Sequence, residues 1–140
     1  MKVFGFAASL AILATEAFAL FEDVEKLDLG NWVDKIENDE ENAWMVTFYA
    51  DWCHHCKPFS PIFAGLAQDE SLKDKKVKFG AVDVMANKQL TTRFGIKRSP
   101  TIKIFGEDKM NPDDYLGHRK HDDIVSFVNE YAALNGFIAR

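Results

Sequence analysis

Phe48-Tyr49-Ala50-Asp51-Trp52-Cys53-His54-His55-Cys56-Lys57 is the stretch on which the fold turns. Met45-Val46-Thr47-Phe48-Tyr49-Ala50 has the β-branched and aromatic content of a buried strand, ending at Asp51. From Cys53 to Gln68, Phe59, Ile62, Phe63 and Leu66 recur at helical spacing, with Pro58 and Pro61 near the start of the run. The cysteines therefore sit where a strand gives way to a helix. A helix N-terminus carries about half a positive charge, so a thiolate on Cys53 is favoured there over the thiol. A protonated His55 adds a second positive neighbour. If the pKa falls from about 8.5 to about 5, the thiolate gains roughly 5 kcal/mol. A Cys53–Cys56 disulfide is then readily reducible, and oxidising toward other thiols.

A Cys-x-x-Cys pair is also half of many zinc sites, but the other half is missing here. Cys53, His54, His55 and Cys56 cannot converge tetrahedrally on one ion from a single helical turn, and His118 and His121 lie far away in sequence. No metal and no bound cofactor is called for.

Outward from the motif, strand and helix patterns alternate. Val24 to Leu29 is a weak strand candidate, and Asn31 is placed to cap a short helix carrying Trp32, Val33 and Ile36 on one side. Val77 to Asp83 reads as a strand, and Lys88 to Phe94 as a short helix stopping at Gly95, a residue that tolerates the left-handed conformation. Thr101-Ile102-Lys103-Ile104-Phe105 alternates as a half-exposed strand does, with a turn through Gly106-Glu107-Asp108 and a last short strand at Tyr115-Leu116. Ile124, Val125, Phe127, Val128, Tyr131 and Leu134 make an amphipathic helix with Asp122 and Asp123 in its first turn. The class is α/β, a sheet covered by helices on both faces with at least one parallel crossover.

The chain's 140 residues, 47% hydrophobic and 28% charged, suit one globular domain. A net charge of -5 with Lys and Arg scattered among acids sets up no face for a phosphate backbone, so nucleic acid is not an expected partner. Residues 1–19 are laid out as a signal peptide: Lys2, an apolar run from Val3 to Leu13, then Ala17-Phe18-Ala19 as a cleavage site. The run is broken by Thr15 and Glu16, short of the about 20 apolar residues that span a bilayer, so no membrane span is expected after cleavage. Two cysteines so close together restrain the unfolded chain little, which favours a chemical role over a structural one.

With its flanks, Phe48 to Lys57 strongly resembles the active-site segment of the thioredoxin superfamily, nearest to protein disulfide isomerases. Gly95-Ile96-Lys97-Arg98-Ser99-Pro100-Thr101 is similar to that family's cis-proline segment, and the resemblance covers about residues 24 to 134, through Asp83, Tyr115, Gly117 and Arg119. It implies a thioredoxin fold over residues 20–140: a central mixed β-sheet with helices on both faces. It also implies roles: Cys53 attacks, Cys56 resolves, His55 stabilises the thiolate, and Pro100 faces them as the cis-proline. Ser99 becomes a docking position for an extended substrate by strand addition, with Trp52 half exposed beside the site. Phe48 and Phe59 read as core and Lys57 as a solvated helix residue.

The departures from the family pattern are specific. His54 stands where the family usually has Gly. Thr47 stands where these proteins commonly bury a carboxylate that relays a proton to the resolving cysteine, and Ala81 where a lysine often accompanies it. Losing both avoids an unpaired buried charge, at the expense of the relay. Lys97 matches a mobile arginine that lowers the resolving cysteine's pKa, with Arg98 beside it as an alternative. Pro58 cannot donate the hydrogen bond that the His54 carbonyl expects in a regular helix, so an irregular first turn is predicted.

The expected function is that of a protein thiol-disulfide oxidoreductase or isomerase acting on unfolded or partly folded cysteine-containing polypeptides. An upstream thiol oxidase or glutathione would recharge it. The alternatives are an exported thioredoxin-like reductant and a non-catalytic thioredoxin-fold binding module. The chain ends Gly136-Phe137-Ile138-Ala139-Arg140, without a Lys-Asp-Glu-Leu type signal. Residence in the endoplasmic reticulum lumen is thus an expectation from chemistry and resemblance, with secretion as the alternative.

Overall fold

The computed structural model describes residues 19–139. The expected leader therefore lies, except for Ala19, outside the described residues. Five strands form one mixed sheet: β1 Glu25–Leu27, β2 Ala43–Tyr49, β3 Val77–Asp83, β4 Thr101–Phe105 and β5 Asp113–Asp114, in the order β1-β3-β2-β4-β5. β3 runs parallel to both β1 and β2, while β4 is antiparallel to β2 and β5. The helices are α1 Cys56–Ala67, α2 Lys88–Arg93 and α3 His121–Asn135.

β2 is buried along its whole length because it is central and covered on both faces. Its side chains alternate between them. Met45 and Tyr49 join Phe59, Phe63, Ile124 and Val128 in a core under α1 and α3. Trp44, Val46 and Phe48 join Trp32, Leu90 and Phe94 in a core under α2 and the Val33–Glu37 turn. Helices thus lie on both faces, and this is the α/β thioredoxin fold.

Several local expectations need correction. Asn31 caps no helix. Its side chain accepts from the Asp28 amide and donates to the Lys26 carbonyl, which closes the turn after β1. The Val33–Glu37 segment that follows is a single wide turn of π type, and Val33 points to solvent while Trp32 and Ile36 are buried. The last strand is Asp113–Asp114 rather than Tyr115-Leu116, because these residues pair with Ile104 and Lys103 and the chain then leaves the sheet. Leu134 is exposed, outside the apolar face of α3.

The cysteine helix begins at Cys56, three residues later than its periodicity suggests. Pro58 is then the third residue of α1, where backbone N–H groups have no partner inside the helix. It therefore breaks no hydrogen bond, and His54 lies before the helix. Gly95, at φ +63°, terminates α2 in the left-handed region.

Phe21 was not marked by any pattern. It is buried, its amide donates to Ser60 Oγ at 2.7 Å, and its ring lies 4.9 Å from that of Tyr49 and 5.9 Å from that of Phe63. The residues just after the expected cleavage point are therefore part of the core behind the cysteines.

Candidate active site

The central strand delivers the site. β2 ends at Tyr49, the buried Ala50 follows, and the chain turns through Asp51–His55 into α1. Cys53 N–H donates to the Ala50 carbonyl at 3.1 Å and Cys56 N–H to the Cys53 carbonyl at 3.2 Å. This tight turn folds both cysteines inward: Cys53 is 4% exposed and Cys56 fully buried, both as free thiols. Cys53 is thus not the first residue of the helix. It precedes α1, in the turn whose amide groups point at its sulfur.

The second wall comes from the other end of the sheet. The Ser99–Pro100 bond before β4 is cis. Cys53 Sγ donates to the Ser99 carbonyl at 3.1 Å, and the Ser99 hydroxyl lies 3.2 Å from Cys56 Sγ. One serine therefore touches both thiols. Thr101 Oγ1 donates to the Arg98 carbonyl at 2.6 Å, bracing this loop.

The environment separates the two acidities. Burial disfavours the Cys53 thiolate, but hydrogen bonds from the Cys56 thiol, from Ser99 and from the backbone amides of Cys56 and His55 outweigh it and hold Cys53 below the usual thiol value. Burial also works against ionisation of Cys56, and its hydrogen bond to Cys53 adds to this, pushing it up to about 11 although Ser99 and the Ala50 backbone pull the other way.

The remaining sequence candidates fall at different distances from the thiols. His54 and His55 are exposed on the turn, and Trp52 stands 67% exposed beside it. Lys97 and Arg98 are exposed and line a groove with Pro100. Thr47 is fully buried with its hydroxyl unpartnered, and it faces Ala81 in register across β2 and β3. No His/Cys/Asp/Glu cluster suited to a metal ion is present among the described residues. Among those residues no helix is long and apolar enough to cross a membrane.

Sequence reasoning missed Lys26. It is the β1 neighbour of Ala81 in the parallel register, and its amine donates to the Tyr49 hydroxyl at 2.9 Å and to the Leu20 carbonyl. Burial lowers the Lys26 pKa although Glu22, Asp51 and Asp83 oppose this. Burial also raises Tyr49 to about 12, aided by Asp83, Asp51 and Cys56. A lysine does reach this end of the sheet, then, but from β1 and onto a phenol. A strand of three residues is too short for its alternation to announce this.

Comparison with known proteins agrees with this geometry. The Thioredoxin family model matches residues 23–130. Protein disulfide-isomerase A6 of Mus musculus is 49% identical over 94 residues, which is 66% of this chain and 21% of that protein. The Protein disulfide-isomerase A6 homolog of Caenorhabditis elegans is 37% identical over 122 residues, 86% of this chain and 27% of that protein. The chain thus spans about a quarter of the length of these relatives. Among solved structures, the first thioredoxin domain of mouse Protein disulfide-isomerase A4 superposes with a TM-score of 0.68 at 28% identity, covering 84% of this chain and 82% of that one.

Proposed function

The chain belongs to the thioredoxin family, and from that premise we propose that it is a protein thiol-disulfide oxidoreductase of the disulfide isomerase kind. It forms, reduces and rearranges disulfides in unfolded or partly folded cysteine-containing polypeptides. One observation carries this reading: two thiols in contact with the same serine, Cys53 held below the usual thiol value and Cys56 pushed above it. A structural pair has no need of that division. A nucleophile and a resolving thiol do.

In the reducing direction the Cys53 thiolate attacks a client disulfide. A bond forms between Cys53 Sγ and one client sulfur, the client S–S bond breaks, and the other client sulfur leaves as a thiolate that takes up a proton. Cys56 then gives up its proton and attacks Cys53 Sγ, which closes the Cys53–Cys56 disulfide and expels the second client thiolate. Two electrons pass from the dithiol to the client, and oxidation of a client dithiol is the same sequence reversed. The slow point is the proton on Cys56, and the Ser99 hydroxyl is the polar group set against it.

Around this pair, His55 favours the Cys53 thiolate by its charge, and Lys97 or Arg98 acts on Cys56 when a client is bound. Trp52, Ser99 and Pro100 receive the client backbone. An upstream thiol oxidase or glutathione recharges the site, in the secretory pathway and most naturally in the endoplasmic reticulum lumen.

The test is trapping. Cys56→Ser accumulates mixed disulfides with a reduced, unfolded client, and Cys53→Ser forms none. The reduction potential in a glutathione buffer separates the rivals, because an isomerase lies near about -180 mV and a thioredoxin-like reductant near about -270 mV. Function retained in a double Cys→Ser protein favours the binding-module reading instead.

A further inference from the structure

A groove of about 480 Å³ starts at Pro100 and runs along the beginning of β4, between it and the loop that precedes α3. The loop is held in shape from within. The Tyr115 hydroxyl donates to the His118 carbonyl at 2.6 Å, and this close fold is open only to glycine at 117, where a Cβ would come 2.6 Å from that hydroxyl. Leu116 is left 90% exposed on the rim.

The groove's charge runs against that of the molecule. Lys97, Arg98 and Arg119 line it, and none of them forms an ion pair among the described residues. Its one carboxylate, Asp114, is occupied by Lys103 at 2.5 Å. Yet the chain carries a net charge of -5, and the larger groove at the other edge of the sheet has six carboxylates against two lysines. Uncompensated positive charge is thus concentrated in a groove that begins one residue after Ser99, the residue that touches both thiols.

Where a client docks at Ser99 and Pro100, we propose that Lys97, Arg98 and Arg119 make this groove select unfolded client polypeptides that carry Asp or Glu beside their reacting cysteine. This rests on Cys53 being the attacking thiol. Ser99, in contact with both sulfurs, is the residue immediately before Pro100 at the groove's head. An extended client advances about 3.3 Å per residue, so side chains two to four positions from its cysteine reach about 7 to 13 Å along this surface. Acidic side chains there meet three unpaired cations, and basic ones are repelled. The effect acts on encounter and on the lifetime of the docked complex, and salt screens it.

The test uses Cys56→Ser protein, so that only attack by Cys53 is read. Three peptides carry one cysteine activated as a thiopyridyl disulfide, flanked by Glu, by Gln or by Lys. Attack forms the Cys53–peptide disulfide and releases pyridine-2-thione, whose absorbance gives the rate. At low salt the Glu peptide reacts about threefold to tenfold faster than the Gln peptide, and the Lys peptide more slowly. The differences collapse near about 1 M salt, where the screening length is about 3 Å. Arg119→Glu removes or inverts the Glu-to-Gln ratio, whereas Lys73→Glu, an equal charge change beyond the C-terminal end of α1, leaves it within about twofold. Equal rates for the three peptides, or the same ratio in both variants, overturn the groove assignment alone. No reaction with any peptide overturns the attacking role of Cys53 itself.

Discussion

The Ser99 hydroxyl lies 3.2 Å from Cys56 Sγ, while the carbonyl of the same residue accepts from Cys53 Sγ at 3.1 Å. With Thr47 in place of an acid, this hydroxyl is the polar side chain that meets the resolving thiol. Ser99→Ala should therefore raise the Cys56 pKa further and slow resolution of a mixed disulfide about tenfold, equivalent to about 1.4 kcal/mol, at the low end for a hydrogen bond to an ionised group. Attack by Cys53 loses the Ser99 hydroxyl but keeps the hydrogen bonds from the Cys56 thiol and from the amides of Cys56 and His55, so it should change less. Stopped-flow release of a mixed disulfide measures resolution, and Ser99→Thr should restore it.

Thr47 buries a hydroxyl without a partner opposite Ala81. Thr47→Val removes that unmade hydrogen bond at similar volume and should stabilise the protein by about 1 kcal/mol in urea unfolding. Thr47→Glu alone buries an unpaired charge and should cost about 3 to 5 kcal/mol. Thr47→Glu with Ala81→Lys should recover much of that loss and speed release of a Cys53 mixed disulfide near neutral pH. Unchanged release in a well-folded double variant would show that the missing carboxylate does not limit the site.

Alkylation should separate the cysteines by pH. The rate follows the thiolate fraction, so a lowered pKa shifts the profile of Cys53 to lower pH than an ordinary thiol, and a raised one shifts that of Cys56 toward about 11. At about pH 6 modification should fall on Cys53 first. Mass spectrometry of the modified peptides reads this, and equal labelling would contradict the division of roles.

His55 is exposed on the turn, and its amide already serves Cys53. Replacing this side chain by His55→Ala should raise the Cys53 pKa and lower the reduction potential by about 30 to 60 mV. His54→Gly should do less. A glutathione redox titration of both variants gives the ranking.

His121 ties the start of α3 to the segment after α1, with Nε2 2.7 Å from Asp69 and Nδ1 3.1 Å from Asp122. Its pKa is raised, foremost by the hydrogen bond with Asp122 and then by Asp69. The folded state thus binds this proton more tightly than the unfolded chain. The contribution is complete below about pH 6.5 and is lost as pH rises through the folded value. His121→Gln should lower the Tm most in mild acid and least in alkali, and only slightly, because solvent screens the pair.

Much of the fold was legible because it rests on local patterns. Val77–Asp83, Thr101–Phe105 and the α2 stop at Gly95 agree with their alternation, composition and turn chemistry. The weakest readings failed where short range offered two choices. Asn31 bonds back into its turn instead of forward into a helix, and the chain reaches the sheet edge two residues before Tyr115. Phe21 went unmarked because it stands beside a leader-like run and alone, with no periodic partner.

By itself the sequence determined a strand-to-helix junction carrying two cysteines, an α/β alternation around it and a serine-proline pair ahead of a strand. Each of these is a matter of residues within a few positions of one another, where propensity, periodicity and charge act directly. The tertiary structure alone decided that Ser99, 46 residues from Cys53 and 43 from Cys56, contacts both sulfurs. It also decided that Lys26 reaches Tyr49 from a different strand, and that Lys97, Arg98 and Arg119 share one groove. Those relationships arise from strand order and register. A sheet ordered β1-β3-β2-β4-β5 brings together residues whose separation along the chain carries no trace of their contact.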